Sequence, residues 1–315
     1  MSHLSLRAGG VSYAYPSGVE PLTDATIDIP PASRVAILGA NGSGKTTLLK
    51  ILAGSLRPTR GIVEVDGVPL RHDRRGLRRH RQSVQLVLQD PDDQLFSADV
   101  AHDVAFGPAN LGLERAEISE RVAEALDLLS IESLSSRPTH ELSYGERKRV
   151  TIAGAMAMRP CVLLLDEPSA GLDPAGIEEM FRALGRLEEK QTTVVLSTHD
   201  TSLAFEWADS VAVVQGGKVW QGDPDRLLRD GDLMAAARLR PPWLIDLWDH
   251  LRTLGIELPR SVPRNTGECA KQISETLLPR VTSIQIPSAP EWDSKVDRHA
   301  SIPADLSSSA PAVTR

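Results

Sequence analysis

The stretch "LGANGSGKTT", residues 38–47, constrains this chain more than any other. It carries a glycine, four residues, then Gly-Lys-Thr, and it lies between an apolar strand read over 34–38 and a helical run over 46–54 that stops at Gly54. Glycines in such a loop let successive backbone N–H groups turn inward and cradle phosphate oxygens, and the helix N-terminus adds its field. Gly39, Asn41, Gly42, Ser43 and Gly44 form the cradle, with Thr47 just beyond it. Lys45 is expected to reach the β and γ phosphates, and Thr46 to place its hydroxyl on Mg²⁺.

A second element supports the first. "CVLLLDEP", 161–168, is an apolar strand that ends in adjacent carboxylates. Side chains alternate along a strand, so Asp166 and Glu167 point differently and take different roles: Asp166 in the Mg²⁺ shell, Glu167 as acceptor of the proton from attacking water. Further strands over 84–88 and 192–196 alternate with helical runs near 116–129, 145–158 and 175–190. That alternation implies a parallel sheet with helices on its faces. "ATIDIP" at 25–30 and "GIVEVDG" at 61–67 alternate as half-exposed strands, and 210–224 reads as a hairpin turning at Gly216 and Gly217.

With 315 residues, 41% hydrophobic content and a formal net charge of −7, the chain is ordinary and globular, and bulk electrostatics argue against a nucleic-acid binder. Cys161 and Cys269 show no knuckle or redox spacing, which suits a reducing compartment. The start lacks a signal-peptide core, and no stretch approaches the roughly 18 apolar residues that span a bilayer, so a cytosolic chain is expected, with other chains supplying any spanning part. Six arginines crowd 71–81; because Gly76 interrupts them and no aromatics interleave, they read as a solvated face or loop. His3, His72, His80 and His102 have no convincing metal-ligand spacing. Past 230, Leu244, Leu247, Trp248, Leu251 and Leu254 recur at helical spacing after Pro241 and Pro242, a second helix covers 266–278, and the Ser/Pro/Ala-rich residues 281–315 read as disordered.

Taken with Gln89, "SAGLD" at 169–173, "VVLSTHD" at 194–200 and "LSYGE" at 142–146, these motifs resemble the ATP-binding cassette (ABC) family over about residues 4–230. The resemblance implies an α/β P-loop NTPase fold: a RecA-like parallel-sheet core, an antiparallel β subdomain and a helical signature subdomain, here followed by a C-terminal helical extension over 231–280. It implies ATP and Mg²⁺ as cofactors, Gln89 contacting Mg²⁺ or the water, His199 contacting the γ-phosphate, and Asp173 linking the two sites of a dimer. Tyr15, or else Tyr13, matches the aromatic that stacks on adenine. The signature is Ser143, Tyr144, Gly145 and Glu146, where Tyr144 stands for a glycine and Glu146 for a glutamine. Glu146 alone does not offset Arg147, Lys148 and Arg149 at that helix start, so an anion is expected there: the γ-phosphate of ATP held by a partner cassette.

"LQDPDDQLFSADVAHDVAFGPANLGL", 88–113, is similar to the energy-coupling-factor group of import ATPases, which implies that Asp92, Asp93, Gln94, Leu95 and Phe96 pack near the groove for a membrane coupling protein. The plainer reading of Asp90-Pro91 is a capped turn. Residues 238–265 look like the extension of the cobalt and nickel branch, which adds dimer contacts. The implied protein is a peripheral ATPase on the cytoplasmic face of the cell membrane. Its partners are a second cassette, identical or related, the coupling protein and a substrate-specific membrane subunit, with no nucleic acid. A vitamin importer shares these motifs. A cassette of DNA repair would separate loop and signature by a long coiled coil, and one of translation would carry two cassettes; neither feature is present.

Overall fold

The apolar runs that read as short strands are buried on both faces, which requires a sheet covered on both sides. In the computed structural model, residues 4–189 and 191–281 are described. Chain order runs β1 (Leu6–Tyr13), β2 (Leu22–Ile29), β3 (Arg34–Leu38), α1 (Lys45–Leu52), β4 (Arg60–Val65), β5 (Val68–Pro69), α2 (Arg74–Ser83) and β6 (Val84–Val87). Next come α3 (Val100–Leu111), α4 (Arg115–Leu128), α5 (Tyr144–Met156), β7 (Val162–Leu165), α6 (Pro174–Glu189), β8 (Thr193–Thr198) and α7 (Thr201–Trp207). The chain then forms the hairpin β9 (Ser210–Gln215) and β10 (Lys218–Gly222), followed by α8 (Pro224–Leu227), α9 (Gly231–Ala236), α10 (Trp243–Thr253) and α11 (Thr266–Val281). The tail expected beyond 281 and His3 lie outside the described residues.

A six-stranded sheet is ordered β10-β9-β3-β8-β7-β6, parallel except for β10, and a four-stranded antiparallel sheet is ordered β2-β1-β4-β5. Strand alternation divides the core in two. Val35 and Ile37 of β3, Val162 and Leu164 of β7, and Val195 of β8 join α1 and the antiparallel sheet. Their neighbours Ala36, Leu38, Leu163, Leu165, Val194 and Leu196 join the helices of the opposite face. The α3, α4 and α5 helices pack mutually as the helical subdomain. The predicted architecture is therefore the one formed.

Two local expectations are sharpened. Of the two readings of the arginine-rich run over 71–81, a solvated face or a loop, the first holds over most of it, as a helix face: Asp73 caps α2 by accepting from Gly76 N–H at 2.7 Å. Gly76 is needed rather than disruptive, because a side chain there would collide with the Arg71 carbonyl oxygen. In α10, Ile245 is buried with Leu244 and Trp248, whereas Leu254 is the C-cap and 66% exposed. Helical spacing fixes the stripe but not which end of it reaches the core.

The C-terminal extension shares the core of the sheet's second face through Leu244 and Trp248 of α10, Val262 of the connection and Cys269 of α11. Trp248 is fully buried and donates its indole N–H to Pro259 O at 3.1 Å, while Arg264 donates to Phe205 O at 2.7 Å. Replacing Trp248 by Ala removes this plug and is expected to destabilise the fold by about 3–5 kcal/mol. Chemical denaturation of the full chain measures it; a loss under 1 kcal/mol, roughly that of a surface change, would mean the extension is not part of the core.

Candidate active site

Parallel pairing brings the carboxyl ends of β3, β8 and β7 together, with Leu38 opposite Thr198 and Leu165 opposite Leu196. Ligands of open α/β sheets bind at such ends. The loop after β3 turns on Gly42 (φ 80°) and Gly44 (φ 109°), and a side chain at Gly44 would come within 2.8 Å of Pro21 O. The buried Lys45 ammonium donates to Gly39 O at 2.8 Å and lies 3.2 Å from Glu167 Oε1. Thr46 donates its hydroxyl to Asp166 Oδ2 at 2.7 Å, and Ser197 donates to Asp166 Oδ1 at 2.6 Å.

The adjacent carboxylates do part company. Asp166 is held by Thr46 and Ser197, whereas Glu167 leaves the strand at φ 45° and faces Lys45 and His199, whose Nδ1 lies 3.1 Å from Glu167 Oε2. A left-handed conformation at a non-glycine costs roughly 1–3 kcal/mol and is retained here by Ser197, which accepts the Glu167 N–H at 3.0 Å. Ser43 Oγ is buried with no hydrogen-bond partner among the described residues, and Glu167 Oε1 has its ion pair but no aligned hydrogen bond. A buried hydroxyl such as Ser43 Oγ, left open in a glycine cradle, fits a phosphate group as a donor. Tyr15, Asn41, Thr47 and Gln89 line the same cleft of about 340 Å³, with Tyr15 Oη 3.0 Å from Thr47 Oγ1 and its ring edge-on to Tyr13.

Ser143, Gly145 and Asp173 line a different cleft, of about 430 Å³, that shares no residue with the first. Ser143 and Glu146 form a capping box: Ser143 Oγ accepts from Glu146 N–H at 3.3 Å, and Glu146 Oε2 accepts from Ser143 N–H at 2.7 Å. That backbone bond, helped by Arg137, holds the Glu146 carboxyl below its ordinary range. The ring of Tyr144 lies against Gly171, and its hydroxyl donates to Gln89 O at 3.3 Å. Asp173 caps α6, accepting from Gly176 N–H at 2.7 Å.

The three cations of this helix start do not call for an outside anion, contrary to the charge argument made from sequence. Arg147 pairs with Asp92 at 3.0 Å and Arg149 with Glu179. Lys148 is buried, where its Nζ donates to the carbonyls of Glu167, Pro168 and Ala170 at 2.8–2.9 Å. Burial brings its pKa down to about 8. Sequence reading missed Lys148, and only its position one helical step inside a capped start could have hinted that it turns inward.

A third hollow, of about 760 Å³, lies between α2 and the helical subdomain. Of the five residues expected near a coupling groove, Gln94 and Phe96 line this hollow, Asp92 turns to Arg147, Asp93 lies in the turn Pro91–Asp93 and Leu95 packs on the core. Asp90 caps the turn Pro91–Asp93, as the plainer reading of that dipeptide expects. Among the described residues no His, Cys, Asp and Glu group is arranged to hold a metal ion, and His80 instead meets Leu52 O at 2.7 Å.

Residues 22–170 match the family described as ABC transporter. The cobalt import ATP-binding protein CbiO of Rhodobacter capsulatus is 51% identical over 77% of this chain and 87% of its own length. The chain belongs to the ABC transporter ATPases. Within them it is of the energy-coupling-factor type: the energy-coupling factor transporter ATP-binding protein EcfA of Methanothermobacter thermautotrophicus is 42% identical over 79% of this chain and 80% of its own. The solved structure of cbiO1 from Clostridium perfringens, described as part of the complex cbiONQ, is 38% identical with a TM-score of 0.67, covering 79% of this chain and all of that one. This cassette binds and hydrolyses ATP.

Lys148→Met would leave three carbonyls beside Glu167 without their donor. Turnover of ATP is expected to fall by up to about a hundredfold through misplacement of that loop, with nucleotide binding kept, as steady-state and binding measurements on the variant would read. Unchanged turnover would show that Lys148 only fills space.

Proposed function

We propose that this chain energises import of a divalent metal ion, cobalt or nickel, as one of two cassettes that close on ATP at the cytoplasmic face of the cell membrane. The observation that carries this reading is the division into two clefts: one holds the phosphate loop with both carboxylates, the other holds Ser143, Gly145 and Asp173. Neither is a whole site, and a second copy, or a related cassette, turned head to tail supplies what each lacks. The cargo follows the similarity to a cobalt import protein, and the membrane partners follow the similarity to a component of a larger complex. Residues 231–280 would add contacts between the cassettes.

In this reading Tyr15 packs on the adenine, and Gly39, Asn41, Gly42, Ser43, Gly44 and Thr47 surround the phosphates. Lys45 exchanges Glu167 for the β and γ oxygens as phosphate enters, which frees Glu167 Oε1. Water attacks the γ-phosphorus as the bond to the β–γ bridging oxygen breaks, releasing ADP and inorganic phosphate; the water's proton passes to Glu167, and His199 holds both that carboxylate and the γ-phosphate. Thr46, Asp166 and Gln89 present hard oxygen donors and would hold Mg²⁺, which when bound neutralises phosphate charge. From the neighbouring cassette Ser143, Tyr144, Gly145 and Glu146 close on the γ-phosphate, with Glu146 kept from the anion by its capping bond. Gln94 and Phe96, with Asp92, Asp93 and Leu95 bracing them, receive a helix of the membrane coupling protein.

Glu167→Gln is expected to leave ATP binding intact while turnover falls by about 10²–10⁴; steady-state hydrolysis at the normal rate would refute the base. Cells carrying that variant are expected to lose uptake of labelled Co²⁺ or Ni²⁺. Uptake that persists would remove the cargo assignment.

A further inference from the structure

The outer side of α2 is basic and uncompensated. Arg74, Arg75, Arg78, Arg79 and Arg81 are exposed, while Leu77 is half-buried and His80 is buried. At the helical repeat of 3.6 residues these five fall on one side of α2, and Leu77 and His80 on the other. Arg71 pairs with Asp73 at 2.8 Å, but none of the five has a side-chain hydrogen bond or ion pair among the described residues. Other arginines do have acidic partners: Arg121 meets Glu117, Arg159 meets Glu124 and Arg229 meets Asp225. In a protein of net charge −7, a face of clustered arginines without acids is a local reversal of sign. Arginine, with its forked planar donors, suits phosphate oxygens held in a layer better than a lone carboxylate.

What lies beside the arginines narrows the anion. Arg74, Arg78 and Arg81 form one wall of the hollow next to α3, and Phe96 and Phe106 stand on it 63% and 50% exposed, ring edge to ring face at 4.5 Å. These rings belong to the hollow that a protein helix fills in the proposed function, so the arginines that face away from it are the ones left to meet a separate anion. The α2 helix presents no exposed aromatic ring for stacking on bases, since His80 is buried. Arg75 and Arg79 do not line the hollow, so the basic face continues past any helix seated in it.

We infer that this arginine face of α2 docks on anionic phospholipid headgroups, holding the cassette against the bilayer beside its membrane partner. The inference rests on the reading of the chain as a peripheral importer subunit. It separates two sources of membrane attachment: the hollow binds protein, and the face beside it binds lipid.

The test is co-sedimentation of the full chain with vesicles of phosphatidylcholine alone and of phosphatidylcholine with phosphatidylglycerol. Binding is expected only to the anionic vesicles, to vanish at raised salt, and to weaken about thirtyfold in the double variant Arg75→Ser, Arg79→Ser, at about fivefold per residue. That variant is expected to keep its ATP turnover, which also reports folding. Equal binding to both vesicles, or undiminished binding by the variant, would overturn the inference. So would a duplex oligonucleotide that binds the chain at the same salt and is lost with the same variant, which would give the face to nucleic acid. Co-purification with a membrane subunit reads the importer assignment separately: retained co-purification without vesicle binding sinks the lipid contact alone.

Discussion

Lys45 is buried, and a buried ammonium must be met by carbonyl oxygens or opposite charge. It meets both, Gly39 O from its own loop and Glu167 from the end of β7, and this requirement organises the site. The two groups can meet only because β3 and β7 run parallel with β8 between them, so that all three end at one level. Ser197 of β8 then fills the gap, donating its hydroxyl to Asp166 and accepting the strained Glu167 N–H. Partners left open by this arrangement, Ser43 Oγ above all, mark where phosphate completes it.

The α5 helix ties the separate regions together. Its capped start faces the second cleft, Lys148 grips the backbone that carries Glu167, and Tyr144 reaches Gln89. Arg147 holds Asp92, two residues before the lining of the hollow beside α2. One helix therefore touches the second cleft, the backbone that carries Glu167 and the segment around Asp92. The substitutions Tyr144 and Glu146, which look like defects against the usual signature, are joints in this frame.

Much of the cassette was legible in sequence because its chemistry is local. The phosphate loop, the strand ending in Asp166 and Glu167, and the Gly216–Gly217 turn (φ 56° and 78°) each follow from a few contiguous residues. What sequence hid depends on contacts across the fold. Gly76 reads as a helix breaker until Arg71 is seen to press on it. Lys148 reads as a surface charge until three carbonyls from beyond β7 surround it. Leu254 fits the apolar stripe of α10, yet the chain turns away at Gly255 (φ 81°) and leaves it in solvent. Charge counted along a helix start could not reveal that each cation already had a partner.

The central claim, that each ATP is served by halves of two cassettes, is tested most directly by complementation. Lys45→Ala in one copy and Ser143→Arg in the other each disable a homodimer. If the halves come from different chains, mixing the two variants puts both lesions in one composite site and leaves the other whole, so hydrolysis returns in the mixture. A mixture as inactive as its components would contradict the account.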